Sequence, residues 1–156
     1  MKTTSKHGLT RIISGGQTGV DRAALDFAIS REIPCGGYCP KGRLAEDGII
    51  PERFPLEETT SQEYSERTKR NIEVSDGTLI IFSGEPQGGT LFTKTHAFSV
   101  MKPVLMIDIE TPFFPIPIRK WFMDNQTHIL NIAGPRESES PGIYRKTLNL
   151  LERLFD

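Results

Sequence analysis

The chain has 156 residues, 37% hydrophobic and 25% charged, the balance of a soluble globular domain with enough length to bury a core. Nineteen basic residues against twenty acidic ones leave a net charge of −1. That argues against a general nucleic-acid binder, which should show a basic excess. No apolar run approaches the length that crosses a bilayer, and Met1–His7 leads directly into the first apolar run. A cytoplasmic protein with a single domain over residues 1–156 is the expectation, with no membrane and no nucleic acid as partners.

Leu9–Ile13 reads as a short strand, and residues 14–19 (Ser-Gly-Gly-Gln-Thr-Gly) follow it. Val20, Ala23, Ala24 and Phe27 then fall on one helical face. Thr18 is the expected N-cap, with Asp21 three residues on as its capping-box partner. Strand, glycines and capped helix together present backbone N–H groups to an anion. Gly15, Gly16 and Gly19 should shape this first cradle, with Gln17 between them and the N–H groups of Thr18 and Gly19 pointing inward. The loop is neither a Walker A sequence nor the full dinucleotide fingerprint.

Pro34 ends the helix, and Cys35–Cys39 reads as a second strand. The two cysteines are expected to be ordinary buried or half-buried thiols. Residues 40–60 read as a long irregular stretch. It is either a solvated loop or a lid bringing Lys41 and Arg43 onto an anionic ligand. Ser61 should cap a helix that runs to about Val74. Thr78–Phe82 is nearly all apolar and reads as a central parallel strand.

A second glycine-rich turn, residues 83–90, follows that strand and precedes a helix over Leu91–Val100. Gly88, Gly89 and Thr90 should form a second cradle. Val104–Ile107 is the next strand, and a proline-rich connection leads to a helix bearing Trp121 and Phe122. His128–Ala133 is a fifth strand running into Gly134-Pro135-Arg136. Ser140-Pro141 starts a last helix whose Ile143, Thr147, Leu150, Leu151 and Leu154 face inward. Met101, Met106 and Met123 are expected as core filling, and His96 and His128 as structural residues.

Alternating strands and helices require an α/β fold, a three-layer doubly wound sheet that is mainly parallel. Its three glycine-bearing turns all follow strands, so they should meet at one sheet edge, where such folds bind ligands. Arg22, Arg43 and Arg136 are candidates for bidentate phosphate contacts, with Lys41 as a point charge. No cluster of metal-ligand residues exists in the sequence, and no catalytic residue is assigned.

Residues 14–26 (SGGQTGVDRAALD) resemble the opening of the putative molybdenum carrier family. Residues 39–48, 75–80 and 133–138 are similar to it as well. The resemblance implies a Rossmann-like, lysine-decarboxylase-like fold and binding of molybdenum cofactor, a pterin carrying a phosphate and a sulfur-held metal. A similar phosphorylated pterin or nucleotide is the near variant of that expectation. The related phosphoribohydrolases carry a glycine-rich turn followed by a catalytic Glu. Here Gln87–Lys94 has Lys94 and no Glu in that position, which weakens a nucleotide-hydrolase alternative. A nucleotide sensor is the remaining alternative. The resemblance also implies a homo-oligomer.

Overall fold

The structure is a computed structural model that describes residues 8–156. The stretch Met1–His7, read from the sequence as leading directly into the first strand, lies outside the described residues. In chain order the elements are β1 (Arg11–Ile13), α1 (Val20–Ser30), β2 (Cys35–Gly36), β3 (Tyr38–Cys39), β4 (Leu44–Ala45), β5 (Gly48–Ile49) and β6 (Glu57–Glu58). They continue with α2 (Tyr64–Glu73), β7 (Gly77–Phe82), α3 (Gly88–Ser99), β8 (Val104–Asp108), α4 (Pro115–Asp124), β9 (Ile129–Ala133) and α5 (Ile143–Leu154). None of these helices is long and apolar enough to cross a membrane.

Five strands form one parallel sheet in the order β2-β1-β9-β7-β8. The last strand in the chain, β9, is therefore inserted at the centre, between β1 and β7. Helices α1, α4 and α5 cover one face through a core that joins Val20, Phe27, Ile118, Phe122, Leu150 and Leu151 to Leu79, Ile81 and Ile132 of the sheet. Helices α2 and α3 pack against each other elsewhere on the sheet. Five of the six β7 residues are buried, as expected of an apolar interior strand. The inward face read for α5 is the buried one. This is the three-layer α/β, Rossmann-like architecture that the element order implied.

Several local expectations are corrected. Cys35–Cys39 is not one strand: β2 joins the main sheet, whereas β3 leaves it to pair with β6. Residues 40–60 are not irregular throughout, because β4 and β5 form a small antiparallel hairpin and β6 is a strand. Ile50, Phe54 and Leu56 anchor this segment in a second apolar cluster against Leu25 and Cys39. Helix α1 is not capped by Thr18: its N-cap is Gly19 at φ 78, with no side-chain cap. Ser61 lies outside α2, whose N-cap is Glu63, although the Ser61 hydroxyl accepts the Glu63 N–H at 3.0 Å. Helix α3 begins at Gly88 rather than Leu91. Met101 and Met123 are largely solvent-exposed and fill no core.

Candidate functional site

Because the main sheet is parallel, the turns after β1, β7 and β9 leave the same edge, and they meet there. The central place of β9 inserts Gly134, Pro135 and Arg136 between the other two turns. The packing is close. A Cβ on Gly19 would stand 2.4 Å from the Pro135 carbonyl oxygen, and one on Gly134 would stand 2.1 Å from that of Ile81. Only glycine lets these backbones approach so nearly.

The cavity between the turns holds about 80 Å³ and is lined by Gly15, Gln17 and Asp21, by Gly89, Thr90 and Thr93, and by Asn131 and Gly134 through Arg136 with Glu139. Helix α2 supplies its remaining wall with Tyr64, Arg67, Thr68 and Asn71. Across Thr90, Pro135 and Glu139 it borders a wider groove of about 350 Å³, walled by Ser83 and by Glu85 through Gly88. A tight neck with polar walls opening into a broader groove suits a ligand with a small charged group and a larger body.

Charge inside the cavity is paired. Arg67 Nη1 donates to Asp21 Oδ2 at 2.8 Å, with both side chains nearly buried. Burial pushes the Asp21 carboxyl above its ordinary value, against the opposing pull of Arg67, the Gln17 N–H and Arg22. Arg136 pairs with Glu139 at 2.8 Å at the mouth. The Arg67 and Arg136 guanidiniums both lie over the Tyr64 ring, 5.3 and 5.6 Å from its centre.

Two buried polar atoms in these walls have no partner, the Arg67 Nε donor and the Thr90 hydroxyl. Thr90 is only 4% exposed. It sits in the first turn of α3, whose end carries unpaired N–H groups and a positive dipole. Nothing lies within 4 Å of where a Cβ on Gly89 would stand, so the backbone there faces open space. A helix end of this kind can accept an anion.

The residues singled out in the sequence divide sharply. Gly15, Gln17, Asp21, Gly89, Thr90, Gly134 and Arg136 line the cavity, and Gly88 lines the adjoining groove. The first cradle is built differently from the expectation. Its N–H groups are turned inward on the loop itself: Gly16 donates to Ser14 Oγ, Gln17 to Asp21 Oδ2 and Thr18 to Gln17 Oε1. The Thr18 hydroxyl is spent on Glu46, and it also accepts the Glu137 N–H. Gly16 and Gly19 serve packing and chain direction, at φ 80 and 78.

Neither Lys41 nor Arg43 reaches the cavity. Lys41 is exposed, and its backbone N–H bonds Ser61. The Arg43 guanidinium donates to the carbonyls of Ile50, Pro51, Phe54 and Leu56, so it ties the 50–56 segment together. Arg22 grips Asp47 and the Gly16 carbonyl, and it lines a separate groove. His128 is structural, with Nδ1 bonded to the Gly8 carbonyl 2.9 Å away. Cys39 is buried and Cys35 half-buried, and both are free thiols.

Sequence reasoning passed over the α2 wall. Its signal was present: Tyr64, Arg67, Thr68 and Asn71 stand at i, i+3, i+4 and i+7, a polar stripe at the spacing that normally carries apolar core residues. Asn71 is buried and closes a two-way amide bridge with Tyr38, accepting its N–H at 2.8 Å and donating to its carbonyl at 3.0 Å.

A solved structure shares this fold. A crystal structure described as a putative molybdenum carrier protein from Syntrophus aciditrophicus SB superposes with a TM-score of 0.93. It is 47% identical, and the alignment covers 96% of each chain. Among curated proteins no sequence matches the chain. The profile of the circularly permutated YpsA SLOG family matches residues 12–155. The resemblance to molybdenum carrier proteins read from residues 14–26 therefore stands, and the chain belongs to the circularly permutated YpsA SLOG family.

Proposed function

We propose that the protein binds a small phosphorylated heterocycle in the cleft and carries it without turnover, the ligand being molybdenum cofactor or a pterin or nucleotide of like build. The observation that carries this reading is the pair of buried, unpartnered polar atoms, Thr90 Oγ1 and Arg67 Nε, in the wall of one cavity. A buried donor without an acceptor costs about 1–3 kcal/mol, so such a pair is retained where a ligand satisfies it. The open amino end of α3 beside them supports a phosphate in the neck. The wider groove has room for a ring.

The molybdenum carrier description of the Syntrophus aciditrophicus protein favours molybdenum cofactor as the cargo. The described residues hold no group of three or more His, Cys, Asp or Glu that could bind a metal. On this reading the metal stays on the ligand's own sulfurs, and the chain's part is to hold phosphate and ring. Lys94, where phosphoribohydrolases carry a Glu, supports carriage over hydrolysis.

Native mass spectrometry of the purified protein, paired with molybdenum analysis, tests the reading. A pterin with stoichiometric molybdenum supports it, and Thr90→Val and Arg67→Met should each reduce the retained ligand at least tenfold, by about 1.4 kcal/mol or more. A nucleotide that is released as base and sugar phosphate on incubation would overturn the non-catalytic part. Retention unaffected by both substitutions would move the ligand out of this cleft.

A further inference from the structure

We infer that Asp21 is the residue by which the cleft selects its anion: it accepts a hydrogen bond from a phosphate that carries a proton, and it excludes fully ionised anions. The inference rests on the phosphate reading above and deepens it by naming the protonation state of the group bound.

The geometry is asymmetric. Asp21 Oδ2 takes both donors, Arg67 Nη1 and the Gln17 N–H, whereas Oδ1 takes none among the described residues. The carboxyl is only 4% exposed, yet it lines the cavity. An oxygen with a free lone pair that a ligand covers has to be met by a donor. Arg67 and Thr90 can donate to a phosphate, but Asp21 can only accept from it while ionised.

The charge balance leads to the same result. The ionisable side chains lining the cavity are Asp21 on α1, Tyr64 and Arg67 on α2, and Arg136 and Glu139 after β9. Arg22, from α1 itself, also acts on Asp21, but its guanidinium is held by Asp47. Two carboxylates and two guanidiniums leave the lining neutral. A phosphate dianion would therefore enter beside an ionised Asp21 with only the partial positive charge of the α3 amino end, and no surplus side-chain charge, to meet it. One proton shared between Asp21 and the phosphate removes that repulsion and turns it into a short, charge-assisted hydrogen bond. The proton comes from solvent for a phosphate ester and is already present on inorganic hydrogen phosphate. Sulfate has none to give at neutral pH. Burial has already moved the Asp21 carboxyl toward its protonated form.

Calorimetry on the full chain, in two buffers of different ionisation enthalpy, tests this with inorganic phosphate, sulfate and ribose 5-phosphate. The measurement is made near pH 8, about two units above the ester's second pKa of about 6. Ribose 5-phosphate should bind with uptake of about one proton, its affinity falling about tenfold per pH unit. Inorganic phosphate should bind at least about tenfold more tightly than sulfate. In Asp21→Asn the uptake should vanish and sulfate should rise to the level of phosphate. If ribose 5-phosphate binds without proton uptake, or sulfate matches phosphate in the unmodified chain, the inference is overturned while the cleft stands as an anion site. If none of the three probes binds, the phosphate reading falls with it. Both of these outcomes are read on the unmodified protein, whether or not the Asn variant folds.

Discussion

The guanidinium of Arg67 fills the space that a side chain on Gly15 would need: a Cβ there would stand 1.5 Å from Arg67 Nη1. The first loop and the second helix are interlocked by this contact, and the guanidinium it admits is the one that holds Asp21 at 2.8 Å. Gly15 thus belongs to the site through the cation it makes room for.

Gly15→Ala should drive Arg67 from this position and leave Asp21 buried without its partner. Breaking a buried ion pair costs about 3 kcal/mol, which urea unfolding would read as a lower midpoint at unchanged slope. An unaltered midpoint would show that Arg67 can turn aside without loss.

Gly134 and Gly89 should behave oppositely. A Cβ at Gly134 meets the Ile81 carbonyl at 2.1 Å and Val20 at 2.6 Å, both fixed parts of the core. Gly134→Ala should destabilise by about 3 kcal/mol or more, as overpacking in a rigid core does. At Gly89 the space is open, and alanine favours helix by up to about 1 kcal/mol over glycine. Gly89→Ala should therefore fold at least as well as the parent while binding ribose 5-phosphate at least about tenfold less tightly, since the methyl enters the anion's approach. Thermal melts and calorimetry on the two variants would check the contrast.

Arg43 should prove structural. Its guanidinium satisfies four carbonyls between Ile50 and Leu56, and hydrogen bonds from a charged donor contribute about 1.5–3 kcal/mol. Arg43→Met should loosen residues 44–58, seen as faster amide exchange there, and lower stability by about 2–3 kcal/mol. Phosphate affinity of the folded variant should change less than about threefold, because the side chain is remote from the cavity.

Tyr144 gives a pH signature. Burial, reinforced by donation of its hydroxyl to Asp26 Oδ2 at 2.6 Å, pushes its pKa up to about 12. An ionisation raised in the folded state contributes stability that is full below the unfolded value of about 10 and is lost as pH climbs through the folded one. Alkaline destabilisation between about pH 10 and 12 should therefore shrink in Tyr144→Phe. Absorbance of tyrosinate should lose its latest-titrating component in the same variant, and persistence of that component would place the effect elsewhere.

Glu46 sets the hold on the β4–β5 hairpin. Its carboxylate accepts from the Thr18 hydroxyl and from the Ser138 N–H and hydroxyl. Partial burial pushes the group up, but these bonds outweigh it and leave the carboxyl below its usual value. The stability it lends is present above the ordinary glutamate range and is lost as pH falls through the lowered value. Glu46→Gln should speed amide exchange in residues 44–49 at neutral pH, and exchange unchanged there would show that Asp47 and Arg22 suffice.

The order of strands and helices was legible because each run carried its own period and its own stop signal. The apolar Thr78–Phe82 and the face Val20-Ala23-Ala24-Phe27 are decided by neighbours within a few residues, whereas Ser140-Pro141 does not start α5, which begins at Ile143 behind Gly142 at φ 89 because the turn after β9 extends that far. The same locality let the three turns be assigned to one sheet edge, since parallel strands all end on the same side.

What the turns do with their N–H groups was a different matter. Thr18 looked like a cap and a donor, yet Gln17, Glu46 and Glu137 take up its bonding capacity. Arg43 looked free for a ligand, yet four carbonyls brought round by the 50–56 segment absorb it. Competition among hydrogen-bonding partners distant in the chain leaves no periodic trace in sequence.

The sequence by itself determined the alternation of elements, the parallel sheet and the glycine-bearing edge, because those follow from local backbone preference and hydrophobic period. Only the tertiary structure decided which groups face the cleft. Inserting β9 between β1 and β7 carries Arg136 and Glu139 to the centre, and packing α2 alongside delivers Arg67 to Asp21 across 46 positions of chain. Those meetings are set by the closing of long loops around a shared core, which no short window of residues can encode.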